Sequence, residues 1–285
     1  TASGIGMGVQ INGPLNGGVM NGAATSGTGV QIINGVLDDS RINGISDTGS
    51  GVGVNGDTVL NNTTLIGNST DGKGVAIVGR LSGGHGSSVQ GEVVNGIGMC
   101  IARDATLTGN DSGDLLAISG NATGEKGTGV QLDGNNTLND TTLVGNATQG
   151  TGVDITGPLV NNGNTRVAGI ATGGNGVALN GAIAGGTVSG TSDSGTGVNV
   201  DGDTQLNNSL LNGNSLDGKG VAIAGNLTGS NGSAVQGETT NGTGVDIGEN
   251  VTLSGQAPDD LLTVTGNATG EKGTGVQLDG MNILD

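Results

Sequence analysis

The sequence predicts an all-β chain, wound as a right-handed parallel β-helix of about twelve coils. Three observations predict it. The chain has 64 Gly and no Phe, Tyr or Trp among 285 residues. A unit Gly-Val-x-aliphatic recurs from end to end at intervals of 21–24 residues. A larger repeat of 146 residues sits on top of that unit.

Composition removes the alternatives first. Aromatic side chains normally dominate the buried area of a compact core, so a globular domain of 27.2 kDa without one is improbable. Collagen needs Gly at every third position and abundant Pro, and this chain has three Pro. Disordered chains are poor in aliphatic residues, whereas Val, Leu and Ile recur steadily here. A leucine-rich repeat would need the L-x-x-L-x-L pattern, which is absent.

The repeat justifies the first strand of each coil. Its Val, once Met, falls at Val9, Val30, Val52, Val75, Met99, Val130, Val153, Val177, Val198, Val221, Val245 and Val276, always directly after Gly. The aliphatic residue follows two positions later, as in Val130 and Leu132, and period two places both on one face of a strand. The residue between them varies among small and polar types and is expected to face solvent. Further inward positions follow in two unit types. One has Leu eight and thirteen residues after the Val (Leu60 and Leu65, Leu138 and Leu143, Leu206 and Leu211). The other has Leu at six and Val at fourteen (Leu81 and Val89, Leu159 and Val167, Leu227 and Val235). Each unit therefore holds two or three short strands, separated by turns of Gly, Asn, Asp and Ser. Twelve coils spaced by about 4.8 Å make a rod of roughly 55–60 Å.

The chain reads as one continuous domain, 1–285, and as a piece of a longer protein in which coils continue on both sides. The 146-residue block covers 52–197 and recurs in part as 198–285; the sequence Gly120–Gly134 reappears as Gly266–Gly280. Two coils, from Met99 and from Val245, are 31 residues long. Their extra residues are expected around 110–118 and 256–264, each containing Asp-Leu-Leu. Asp111, Asp114, Leu115, Asp259, Asp260 and Leu261 are the candidate binding residues of these loops. The alternative is that the leucines merely widen the core.

Function is constrained mainly by exclusion. The formal net charge of −17 disfavours nucleic acid and anionic membrane as partners, and the sequence contains no apolar stretch long enough to insert in a bilayer. His85 is the one histidine, and Arg41, Arg80, Arg103 and Arg166 occupy different phases of the coil. The pairs Asp38–Asp39 and Asp259–Asp260 are adjacent in sequence, so on a strand they would point to opposite faces, whereas acid/base catalysis needs both on one substrate atom. No enzyme, no cofactor and no metal site is expected; the calcium-binding nonapeptide pattern is absent. Cys100 is expected at an outward position; its counterpart one block later is Asp246. Fourteen Asn-x-Ser/Thr sequons are present, with Asn62, Asn68, Asn121, Asn146 and Asn267 as candidate glycosylation sites. Many are expected in turns, where Asn and Thr could equally stack as ladders.

The motifs Gly-Thr-Gly-Val-Gln-Leu-Asp-Gly, ending at Gly134 and Gly280, and Asn-Asn-Thr-Thr-Leu-Ile-Gly-Asn-Ser-Thr, ending at Thr70, resemble the repeat region of two-partner-secretion exoproteins, the family of filamentous haemagglutinin and the high-molecular-weight adhesins. The resemblance implies a right-handed parallel β-helix, secretion through a partner outer-membrane transporter, display at the bacterial cell surface and attachment to host cells. It also implies that some sequons, such as Asn68 or Asn121, carry glycans. The expected partners are a host cell-surface glycoconjugate or protein, or another bacterial surface protein. A passive spacer rod, in such an exoprotein or in an autotransporter passenger, is the rival expectation.

Overall fold

A computed structural model describes residues 6–285, and these form a parallel β-solenoid of about eleven turns with no helix, as a right-handed parallel β-helix requires. Every strand pairing between successive coils is parallel. The Gly-Val-x-aliphatic strands stack in register from Val9 through Val130 and Val198 to Val276 and make the first of three ladders. The second ladder carries Leu37, Leu107 and Leu206, and the third carries Leu65, Leu143 and Val235. Their inward side chains form one continuous aliphatic column, with every large member from Val30 to Leu227 essentially sealed from water. The inward leucines of both unit types lie in it as the spacing predicts.

A coil this small needs a device to close without aromatic filling, and paired glycines supply it. The Gly before each Val faces a second Gly in the third ladder, a column running Gly22, Gly44, Gly67, Gly91, Gly120, Gly145 and on to Gly266. A Cβ on Gly145 would overlap the Gly152 carbonyl oxygen and lie 2.7 Å from Val153 Cγ2. A Cβ on Gly129 would similarly strike the Asn146 backbone nitrogen. Backbone thus meets backbone along the whole rod, and the first and third ladders converge to a thin edge. Two residues beyond the Gly column sits an inward column of small residues. In it Ser46, Ser69 and Ser215 each donate to a turn carbonyl (Ser46 Oγ to Gly27 O, 2.8 Å) and accept an amide three residues on. The corner between second and third ladders is turned by residues at positive φ, among them Asp39, Asn62, His85, Asp140, Asn208 and Asn231, types that tolerate the left-handed conformation.

The second ladder steps sideways. Leu15, Leu37 and Leu60 stack on one another, and so do Leu81, Leu107 and Leu138, then Leu159, Ile183 and Leu206, then Leu227, Leu253 and Leu284. Between these groups the leucine column shifts by two residues. At each step the upper leucine lies over a polar residue (Thr58, Asn136, Thr204), and the lower leucine lies under Gly83, Asn161 or Gly229. The two unit types of the sequence are the two sides of these steps. The steps also carry strain in polar satisfaction: Thr58 Oγ1 and Asn161 Oδ1 are buried without a hydrogen-bond partner.

Candidate functional site

The long coils are where the sequence places its candidate loops, and the structure gives them a constructive role. Relative to the coil above, the added length is divided. Leu107 and Ile118 are eleven residues apart where Leu138 and Leu143 are five apart, and Ile118 and Val130 are twelve apart where Leu143 and Val153 are ten. The expected single insert is therefore corrected to two, because the coil widens at both corners of its third strand, Leu116–Ala122. In the larger insert Asp111 accepts from the amides of Gly113 (2.8 Å) and Asp114 (3.1 Å), closing a tight turn. Asp114 reaches back to the coil below, accepting from the His85 amide at 2.6 Å. That donated N–H, with smaller help from Asn110 and Gly86 and against partial desolvation, holds the Asp114 carboxyl below its ordinary value of 3.8. In the second block Asp260 accepts from the amides of Asn231 (2.7 Å) and Gly232 (3.2 Å).

The leucines divide in the same way. Leu116 is fully buried, and Leu115 beside it is half-exposed. Leu262 packs against the core, and Leu261 is 64% exposed. A Cβ on Gly83 would meet Leu116 Cδ1 at 2.8 Å, and one on Gly229 would meet Leu262 Cδ1 at 2.6 Å. Each insert thus delivers one leucine into the notch left by the step in the second ladder. Asp114, Asp260, Leu116 and Leu262 are occupied by the fold. Asp111, Asp259, Leu115 and Leu261 remain at the surface, although Asp111 shapes its own turn.

The sequons are placed differently from expectation. Asn62 sits in a turn at φ 48° and donates to Asp39 Oδ1 at 2.7 Å. Asn68, Asn121, Asn146 and Asn267 lie on strands of the third ladder, on its outer face. The reason is period two: the middle residue of each sequon (Ser69, Ala122, Ala147, Ala268) occupies the small inward column, which turns the preceding Asn outward. These Asn belong to one outward column rising from Ala23 through Asn68, Glu92, Asn121, Asn146 and Ile170 to Asn267. Asn146 Nδ2 donates to Asn121 Oδ1 at 2.7 Å, the ladder arrangement. A shallow groove of about 660 Å³ follows the column from Asn68 to Ile170, bordered by the turn residues Val94, Thr123, Thr148 and Thr172.

Cys100 is outward, as alternation predicts, but it is covered. It occupies the outward column of the first ladder between Ala76 and Gln131, yet is only 4% exposed. Its counterpart Asp246 is covered likewise and pairs with the Lys219 ammonium from the coil below; Lys73 is the counterpart of Lys219 one block earlier. Stacking at one coil height between neighbours above and below covers an outward position that a single strand would leave open.

Asp154, also in that outward column, is half-buried; its desolvation, together with Asp133 and Asp201, raises its carboxyl above 3.8. Among the described residues no group of three or more His, Cys, Asp or Glu converges as a metal site, and no helix is long and apolar enough to cross a membrane. No family model, no curated protein and no solved structure matches the chain.

Proposed function

We propose that this segment is the repeat rod of a secreted bacterial adhesin, exported through a partner outer-membrane transporter and used, without catalysis, to attach to host cell surfaces through a glycoconjugate or protein. The supporting observation is the outer face of the third ladder. Across its eleven levels the Asn68–Asn267 column holds two charged residues, Glu92 and Glu238, in a chain whose net charge is −17. A weakly charged column in which asparagine amides recur, with the exposed Ile45 and Ile170 among them, suits repeated weak contacts, which accumulate through multivalency. The rival reading, a spacer, is favoured by a different observation: Asp114 and Asp260 spend their carboxylates on the coil beneath them.

Binding of the purified segment to epithelial cells tests the proposal. Saturable attachment that survives Leu115→Ser and Asp111→Ala, with Leu116 kept in the core, would place recognition on the ladder faces. Attachment lost in those variants would assign it to the loops. Well-folded chain that does not attach would refute the adhesive reading in favour of the spacer.

A further inference from the structure

Resting on that adhesive reading, we propose that the groove over Asn68, Glu92, Asn121 and Asn146 is a binding site for an extended, uncharged oligosaccharide lying parallel to the rod axis. The four side chains stand in register on successive coils, so they are spaced by about 4.8 Å and span about 14 Å. A chain of hexoses advances by close to one coil height per residue, so successive sugars would meet successive rungs.

The chemistry at the rungs is that of hydroxyl recognition. Neither the Glu92 carboxylate nor the Asn68 amide has a hydrogen-bond partner among the described residues, and Asn146 uses its amide nitrogen on Asn121 Oδ1, leaving its own oxygen free. Flanked in register by two amides, the carboxylate accepts from a pair of neighbouring hydroxyls while the amide N–H groups donate to the next ones, and carboxylate acceptors make the stronger bonds. Sugar sites also cover the C–H face of a ring, usually with an aromatic side chain, and this chain has none. Here that role falls to Val94, 44% exposed, and Ile170, 46% exposed, which border the groove. No Lys or Arg lines the groove, so nothing in it pairs with a sulfated or sialylated chain, which Glu92 would repel.

The repeat then supplies a partial second copy, with Thr240 in the place of Val94. Asn214, Glu238 and Asn267 stand in register 146 residues on, six coils higher, about 29 Å along the same face. Spaced copies of a weak site along one ladder give avidity toward a long polymer that no single site has.

The test titrates the unglycosylated 285-residue chain with cellotetraose and with chitotetraose, and with a heparin tetrasaccharide as the charged comparator, reading backbone amide NMR shifts. The expected result is a saturable shift with at least one neutral tetrasaccharide, at the amides of Glu92, Asn121 and Asn146. Glu92→Gln should weaken binding about tenfold, and Asn121→Ala should weaken it too. Gln131→Ala, on the outer face of the first ladder, should leave it unchanged. Circular dichroism confirms that each variant is folded. Absence of shifts at about 20 mM of both neutral probes, shifts confined to another face, binding indifferent to both groove variants, or preference for the heparin probe would each overturn the proposal. If the chain fails these tests yet attaches to cells, the groove assignment falls and the adhesive reading stands. If the sugars bind but cells do not, the site stands and the adhesive reading falls.

Discussion

The closure of the coil on paired glycines leads to a quantitative expectation for Gly145→Ala. A Cβ there would overlap the Gly152 carbonyl oxygen and lie 2.7 Å from both the Gly152 carbonyl carbon and Val153 Cγ2, where ordinary contact begins at 3.4 Å. Two of these three atoms are backbone, so no rotamer change relieves the overlap, and the two ladders must part by about 1 Å or more. Overpacking of a filled core costs about 1–3 kcal/mol; with main chain on both sides this case belongs at the upper end, about 3 kcal/mol. In a solenoid each coil contacts only its neighbours, so the loss is expected to stay local. Hydrogen exchange is therefore the suitable assay. Amides of Val144, Val153 and the coils flanking them should exchange about 100-fold faster, since about 1.4 kcal/mol corresponds to a factor of ten, with little change near Val245. Gly53→Ala is the matched control. Its Cβ would meet the far end of the Gln31 side chain, which can swing away, so stability should change by no more than about 0.5 kcal/mol. Equal protection in the Gly145→Ala chain and the parent would refute the account of coil closure.

Three further outcomes follow from the same structure. Leu116→Ala should cost about 2–5 kcal/mol, because it empties the notch beside Gly83, whereas Leu115→Ala should cost less than about 0.5 kcal/mol; denaturant melts followed by circular dichroism compare the two. Asp154 has a raised carboxyl in the folded chain, so the folded state retains its proton longer than the unfolded state, and stability must fall as pH rises above about 3.8. Asp154→Asn should then be more stable than the parent at pH about 7 and indistinguishable from it at pH about 3, and melts at both values decide it. Asp114 has the opposite sign: its lowered carboxyl contributes stability that is present above 3.8 and is lost as pH falls through the folded value. Exchange of the His85 amide should accelerate on acidification in the parent relative to its own intrinsic rate, and Asp114→Asn should abolish that dependence.

Much of the fold is written in the one-dimensional pattern, because a solenoid repeats its environment at a fixed interval. Val130 and Leu132 reveal a strand face by period two alone, and the Gly preceding every Val marks a position that cannot hold a side chain. The physical partner of that Gly is harder to see. The column Gly67, Gly91, Gly120 is just as regular, but its reason is an approach between two strands of one coil, and that contact exists only once the coil has closed. The leucines of the long coils show a second limit. Asp114-Leu115-Leu116 reads equally as a displayed loop or as extra core; what decides it is the empty space at Gly83, created by a register step between other coils. Alternation places Cys100 outward, but its burial depends on neighbours above and below, which alternation does not describe. The candidate groove lay beyond sequence reasoning for the same reason: Asn68, Glu92, Asn121 and Asn146 become neighbours through stacking across coils of unequal length.

The sideways step in the leucine column also governs how such a gene can change length. The step recurs every three coils, and a leucine above it must lie over Thr58, Asn136 or Thr204 and under a residue of matched size. Removing the single coil that carries Leu116 would leave the notch at Gly83 unfilled, so unequal crossover between single coils yields chains that pack badly. Crossover between whole 146-residue blocks preserves the phase of every step, and of the Leu116 and Leu262 plugs with it. Alleles that fold should therefore differ by whole blocks, and the reach of the rod should change in increments of about 29 Å.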